Sequence, residues 1–156
     1  MKLNFYDVNE EYLKYLQDID GQVPNVVEGG FTKFFCGIVL EVNGFKYLAP
    51  VTSFKRQQGT NLLIKSNNGK VHASIRFCFM IPVNDEVITK KDFKDIKDTK
   101  YVGLLSTELN ACRKMQQDIL DKAEEVYRIG STPEHSLNYT CCDFLRLEKA
   151  LEQYSQ

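Results

Sequence analysis

Phe34-Phe35-Cys36-Gly37-Ile38-Val39-Leu40-Glu41-Val42-Asn43-Gly44-Phe45-Lys46-Tyr47-Leu48-Ala49-Pro50-Val51 reads as two strands joined by a tight turn. Both arms are rich in β-branched and aromatic side chains, and Asn-Gly is the dipeptide that tolerates positive φ at both central positions of a hairpin. Pro50 has no N–H to give a ladder, so the end of the second arm falls at an edge or a bend. Outward from this hairpin, residues 52–61 form a polar loop. Leu62 to Lys65 and Val71 to Phe77 make a second hairpin around Asn67-Asn68-Gly69, and Phe77 to Val83 is a buried strand interrupted by Pro82. Leu3 to Tyr6 adds a short first strand. Five or six strands with hairpin connections imply an antiparallel, strongly curved sheet.

The flanks are helical. Asn9 caps a helix running through Leu13 and Leu16 to Ile19, with Glu10 and Glu11 at its positive end. Gly21 stops it, and a loop from Val23 runs to Gly29-Gly30. Leu105, Leu109, Cys112, Ile119, Ala123 and Val126 form one apolar stripe that predicts a single long helix ending at Gly130. Thr140 with Asp143 three residues on has the form of a capping box, and a last helix turns Phe144, Leu147 and Leu151 inward. The expectation is an α+β fold: a small curved, barrel-like antiparallel sheet covered by helices, as one domain over residues 1–156.

Composition narrows the class. With 43% hydrophobic and 26% charged residues, the 156-residue chain reads as an ordinary globular domain. The first residues lack the apolar stretch of a signal peptide, and no apolar run approaches a membrane span. Five cysteines with no C-x-x-C spacing read as reduced core thiols. Together these predict a cytoplasmic protein with no membrane partner. Neither His72 nor His135 combines with the cysteines at zinc spacing, and no phosphate-binding glycine loop or dinucleotide fingerprint is present, so no metal and no cofactor are expected. His72, on an alternating strand, fits either a proton shuttle or a half-buried structural residue. His135 follows Pro133-Glu134 and reads as solvent-facing.

The net charge of −1 conceals a strong asymmetry. Residues 31–76 carry Lys33, Lys46, Lys55, Arg56, Lys65, Lys70 and Arg76 against Glu41 alone, a balance of +6, whereas residues 1–30 carry −4. A solvated basic face and an electrostatic footprint for phosphates both fit this pattern. By contrast, lysines from Lys90 to Lys100 alternate with aspartates and read as a self-neutralising surface. Within the basic third, Thr52-Ser53-Phe54-Lys55-Arg56 lies where a strand exits into a loop, a place from which a rigid sheet can aim side chains at a ligand. RNA cleavage by its own 2′-oxygen needs a group for the 2′-proton, cations at the crowded phosphorane and a proton for the leaving oxygen. Lys33, Thr52, Ser53, Lys55 and Arg56 have the right chemistry. A hydroxyl-rich loop with a lysine is, on its own, more often a solvated turn.

Lys33-Phe34-Phe35-Cys36-Gly37-Ile38-Val39-Leu40-Glu41-Val42, followed by Gly44-Phe45-Lys46-Tyr47-Leu48-Ala49-Pro50-Val51-Thr52-Ser53-Phe54-Lys55, resembles the ToxN/AbiQ family of type III toxin–antitoxin toxins. Val23-Pro24-Asn25, Phe79-Met80-Ile81-Pro82 and the block from Thr140 to Glu148 extend the likeness over almost the whole chain, with the CptN branch most similar. The resemblance implies a MazF/Kid-like sheet with added helices. It also implies a bacterial endoribonuclease that cuts A-rich RNA, leaves a 2′,3′-cyclic phosphate, and needs no metal.

The family's site residues carry over as Lys33, Thr52, Ser53 and Lys55 for catalysis, with Tyr12 on the first helix for RNA. Lys46, Arg56, Lys65, Arg113 and Lys114 complete the expected RNA-binding set. Around Asn110 to Arg113 the match is poorer, because Ser106 and Ala111 stand where relatives carry aromatic residues. The implied partners are target RNA and a repeat-derived pseudoknot antitoxin RNA processed by the toxin itself, in a ring-like toxin–RNA assembly without a protein antitoxin. The alternatives from other classes are a non-catalytic RNA-binding module on the same barrel-like scaffold and a protein-binding domain whose apolar patch meets a partner.

Overall fold

The structure, a computed structural model, describes residues 3–24, 27–28, 31–32 and 36–155. In chain order the elements are β1 (Phe5–Val8), α1 (Glu10–Ile19), β2 (Val27–Glu28), β3 (Phe31–Thr32), β4 (Cys36–Val42), β5 (Phe45–Thr52), β6 (Asn61–Lys65), β7 (Val71–Arg76), β8 (Ile81–Val83), β9 (Ile88–Lys90), α2 (Thr99–Lys114), α3 (Gln116–Gly130) and α4 (Phe144–Tyr154). Seven strands form one antiparallel sheet in the order β6-β7-β5-β4-β1-β9, with β8 also paired to β5, while β2 and β3 pair separately. The fold is therefore the expected α+β arrangement of helices on a mainly antiparallel sheet, and the path from β6 to β9 is open.

The β4–β5 hairpin turns at Asn43 (φ 53°) and Gly44 (φ 79°), as its dipeptide requires. Gly37 lies opposite Pro50 in this pair. A Cβ there would come 2.5 Å from the Ala49 carbonyl oxygen, so only glycine lets the strands approach this closely. β5 is central, and it changes neighbours along its length. Lys46 to Leu48 pair with β8, and Val51 and Thr52 pair with β7. Pro50 sits in the gap between the two ladders, where its missing N–H leaves no bond unmade. The bend expected at Pro50 is thus a change of partner in an interior strand.

Several boundaries differ from the sequence reading, each for a local reason. Asn9 caps α1 through its side chain as expected. The strand expected from Phe77 to Val83 begins instead as a 3-10 turn over Phe77–Phe79, and its Pro82 pairs opposite Tyr47. Asp143, rather than Thr140, caps α4 by accepting the Arg146 N–H, while the Thr140 hydroxyl donates to the Leu137 carbonyl. The single long helix is two: at Met115 (φ −102°, ψ 19°) the backbone leaves the helical region, and the Met115 N–H is shared between the Ala111 and Cys112 carbonyls. That break lets α2 pack on β6 while α3 packs on β4 and the Phe77–Phe79 turn.

The inner faces form one core in which Phe5, Tyr12, Tyr47, Phe77 and Phe144 are fully buried. Among the described residues, Cys78, Cys112, Cys141 and Cys142 are buried and outside any disulfide, and burial pushes the Cys141 thiol up to about 11. No helix among them is long and apolar enough to cross a membrane. Glu108 lies on the packed side of α2, 5% exposed, and burial raises its carboxyl from an ordinary 4.5 to about 7. A carboxyl with a higher pKa in the folded chain favours folding while protonated. Its penalty is therefore absent below about pH 4.5 and complete above about pH 7. Accordingly, Glu108→Gln should be more stable relative to the parent at pH 8 than at pH 4, measured by urea midpoints. A stability difference independent of pH would remove Glu108 as the cause.

Candidate functional site

Thr52 ends β5 opposite Ser74 of β7, and its hydroxyl accepts the Phe54 N–H at 3.3 Å. This local bond turns the chain out of the sheet and leaves Ser53, Lys55 and Arg56 exposed on the loop. Two supports hold that loop from behind. The first is Arg76, whose guanidinium carbon lies 4.3 Å from the Phe54 ring centre and 4.6 Å from that of Phe79. The second is Asn61, fully buried. Its Nδ2 donates to the Arg56 carbonyl at 2.9 Å, and its Oδ1 accepts from the Gln58 N–H at 2.8 Å and from Gln57 Nε2 at 3.0 Å.

The structure thus gathers four of the expected residues, Thr52, Ser53, Lys55 and Arg56, on one braced loop. Lys33 lies outside the described residues. Sequence patterning missed Asn61 and Arg76 as supports, since their roles depend on contacts reaching across the hairpin. An Asn at a strand start after a polar loop was the one available signal for the first.

The expected RNA-binding residues do not share one surface. Lys65 and Lys114 meet across a groove of about 760 Å³ between β6–β7 and α2, lined also by Gln57, Asn67 and Asn110. Arg113 faces the other side of α2. Its guanidinium donates to the Leu3 carbonyl and to Asn4 Oδ1, each at 2.9 Å, within a second groove of about 660 Å³ that also holds Lys90, Lys91 and Lys94. The Lys90–Lys94 stretch, read from sequence as self-neutralising, therefore contributes to a basic groove, with Lys91 ion-paired to Asp7 at 3.1 Å.

Tyr12 and Lys46 are corrected. Tyr12 is fully buried and its hydroxyl donates to the Pro82 carbonyl at 2.6 Å, so it has no surface to offer a nucleic acid. Burial drives its hydroxyl pKa well above the ordinary value, which keeps it a donor. Lys46 stands at the far end of β5 from Thr52, roughly 20 Å along an extended strand, and bonds Asp85 at 2.7 Å. That bond raises its pKa and takes it out of the loop's field. His135 is exposed, its Nδ1 accepting the Leu137 N–H. His72 is half-buried on β7. Among the described residues no three His, Cys, Asp or Glu side chains gather where they could hold a metal ion.

The open antiparallel sheet with its helices is the fold of solved structures of type III toxin–antitoxin proteins. One of them, described as a toxin selectively inhibited by a non-coding RNA pseudoknot, superposes with a TM-score of 0.88 at 23% identity, covering 100% of this chain and 99% of that one. In sequence, endoribonuclease ToxN of Pectobacterium atrosepticum is 30% identical over 133 aligned positions, 78% of each chain. Endoribonuclease AbiQ of Lactococcus lactis subsp. lactis is 26% identical over 171 aligned positions, covering 100% of this chain and 91% of the relative. Residues 4–152 match the family model for toxin ToxN of type III toxin–antitoxin systems. The chain belongs to the ToxN family.

Truncating Asn61 to Ala leaves the Arg56 carbonyl and the Gln58 N–H without their partner. The variant should lose about 1–3 kcal/mol of stability by urea titration at an unchanged m-value, with faster hydrogen exchange at the Gln58 amide. Unaltered exchange there would show that the loop is held by other means.

Proposed function

We propose that this protein is a metal-independent endoribonuclease toxin of a type III toxin–antitoxin system, active against A-rich RNA and restrained by a pseudoknot RNA that it processes itself. One observation carries the reading: Thr52, Ser53, Lys55 and Arg56 share a loop braced at a strand exit, in a member of the ToxN family. The groove beside it supports an RNA ligand. Lys65 and Lys114 supply charge for phosphates, and the amides of Gln57, Asn67 and Asn110 carry the paired donor and acceptor that suit an adenine edge.

In this mechanism a ribose 2′-oxygen attacks the adjacent phosphorus while a site group takes its proton. Lys55 and Lys33 offset charge on the phosphorane, with Thr52 and Ser53 donating to its oxygens. The bond from phosphorus to the 5′-oxygen breaks, and that oxygen leaves with a proton. The products are a 2′,3′-cyclic phosphate and a 5′-hydroxyl. The decisive test is incubation of the purified protein with A-rich RNA in EDTA, followed by sequencing of the new ends. Binding without cleavage would replace this reading by that of an RNA-binding module.

Ser53→Ala should fold normally, because an exposed loop hydroxyl contributes about 1 kcal/mol or less to stability, yet lose growth inhibition in cells. Lys55→Met should slow cleavage of bound RNA far more than it weakens binding. Equal toxicity of Ser53→Ala and parent, or a Lys55→Met defect confined to binding, would remove that residue from the chemistry.

The two grooves flanking α2 support a larger toxin–RNA assembly. A repeat RNA has two ends, so one toxin can hold one RNA at the active loop and another by the Arg113 and Lys94 side, and such head-to-tail contacts close into rings. The complex should scatter light as more than one toxin and one RNA, collapse after ribonuclease treatment, and weaken by orders of magnitude between low and moderately high salt. A one-to-one mass, or an oligomer that survives RNA removal, would exclude this assembly.

A further inference from the structure

The loop that carries Ser53 and Lys55 has a second side. Its later residues, Gln58 and Thr60, form one wall of a cleft of about 530 Å³. The opposite wall is the 3-10 turn over Asn138–Thr140, between α3 and α4, and Arg76 and Phe79 lie at its base. This cleft is separate from the groove that holds Lys65 and Lys114.

Two features of the cleft are unexplained by packing. Tyr139 is 76% exposed, well above Leu145 at 47% and Tyr154 at 37%. Its ring nonetheless sits on a fixed support. The Tyr139 carbonyl accepts Gln22 Nε2 at 2.9 Å, and the neighbouring Asn138 amide donates to the Ile129 and Gly130 carbonyls. The second feature is Arg76. Among the described residues it has no carboxylate partner, its Nε is buried without a hydrogen bond, and its Nη2 reaches Gln58 Oε1 only at 3.4 Å. A guanidinium held between two rings leaves its hydrogen-bonding capacity largely unused. A presented aromatic face beside an uncompensated guanidinium is the pair that single-stranded nucleotides use, the ring for the base and the cation for the phosphate.

We propose that this cleft binds a nucleotide of the substrate RNA flanking the one that is cut, with Tyr139 stacked on its base and Arg76 on its phosphate. The inference rests on the endoribonuclease reading and deepens it. Arg76 also packs on Phe54, between Ser53 and Lys55, so the cleft borders the brace behind the reactive loop. Both are RNA-binding residues here, Tyr139 for the base and Arg76 for the phosphate.

The test uses an RNA with a mapped cut site, in a long form and in a form trimmed to the nucleotides at the cut. Tyr139→Ala keeps the backbone bond to Gln22 and should fold. On the long RNA its KM should rise about tenfold with kcat unchanged, the scale of one lost base–aromatic stack, and Tyr139→Phe should match the parent. On the trimmed RNA all three proteins should behave alike. In parallel, 2-aminopurine placed at successive flanking positions of the long RNA should be quenched at one position on binding Ser53→Ala protein, and not on binding the Ser53→Ala, Tyr139→Ala double variant. A parental KM for Tyr139→Ala on the long RNA, or quenching indifferent to Tyr139, would overturn the site. Parent protein that cleaves neither RNA would instead overturn the activity, and Tyr139-dependent quenching would still decide the cleft.

Discussion

The carboxylate of Glu148 holds the molecule together where sheet meets helices. It is 7% exposed and accepts the hydroxyls of Tyr47, at 2.5 Å, and Tyr127, at 2.9 Å. Asn43 in the hairpin turn donates in its turn to the Tyr127 hydroxyl at 2.9 Å. One side chain of α4 therefore links β5, α3 and the β4–β5 turn. A buried carboxylate without donors is strongly unfavourable, so the arrangement admits one relative placement of these elements. The rings obey the same placement. Phe144 meets Tyr47 edge to face at 5.8 Å and stacks on Tyr127 at 5.7 Å. Because β5 is anchored this way along its middle, its last residue can leave the sheet at a defined angle, and the loop beginning at Thr52 inherits that angle.

A division of labour between the two sides of α2 follows from the break at Met115. One unbroken rod would present a single stripe to the sheet. The break lets α2 lean on β6, with Lys114 above one groove, Arg113 and Ser106 above the other, and Asn110 reaching both. Charge that appears scattered in the sequence is thereby sorted onto separate surfaces.

Elements dictated by short-range chemistry were legible in the sequence. The Asn43-Gly44 hairpin, the Asn9 cap and the inward face of Phe144, Leu147 and Leu151 all depend on neighbours within a turn or a strand pair. What failed depended on distant partners. Tyr12 looked available on an amphipathic helix, yet the Pro82 carbonyl, seventy residues away, gives its hydroxyl a home in the core. Lys46 counted toward a basic face until Asp85 arrived beside it from the turn after β8. The helix looked continuous because a stripe spaced by seven between Cys112 and Ile119 fits either one rod or two. The candidate site was legible to the extent that it is contiguous: Thr52 to Arg56 are consecutive and need only a strand end. Its braces, Asn61 and Arg76, act through a backbone carbonyl and two aromatic rings that no local pattern couples.

The open sheet has a bearing on how the protein behaves at high concentration. The unpaired rims at the two ends of the β6-to-β9 path are a standing invitation to strand-by-strand joining between molecules. Here one rim, β9, is three residues long and ends in exposed Thr89 and Lys90, too short for a stable ladder and carrying a charge that repels its own copy. The other, β6, has α2 packed against it and ends in the exposed Lys65. A short, charged rim at one end and a helix-backed rim at the other disfavour edge-to-edge joining of the sheet between copies of the chain.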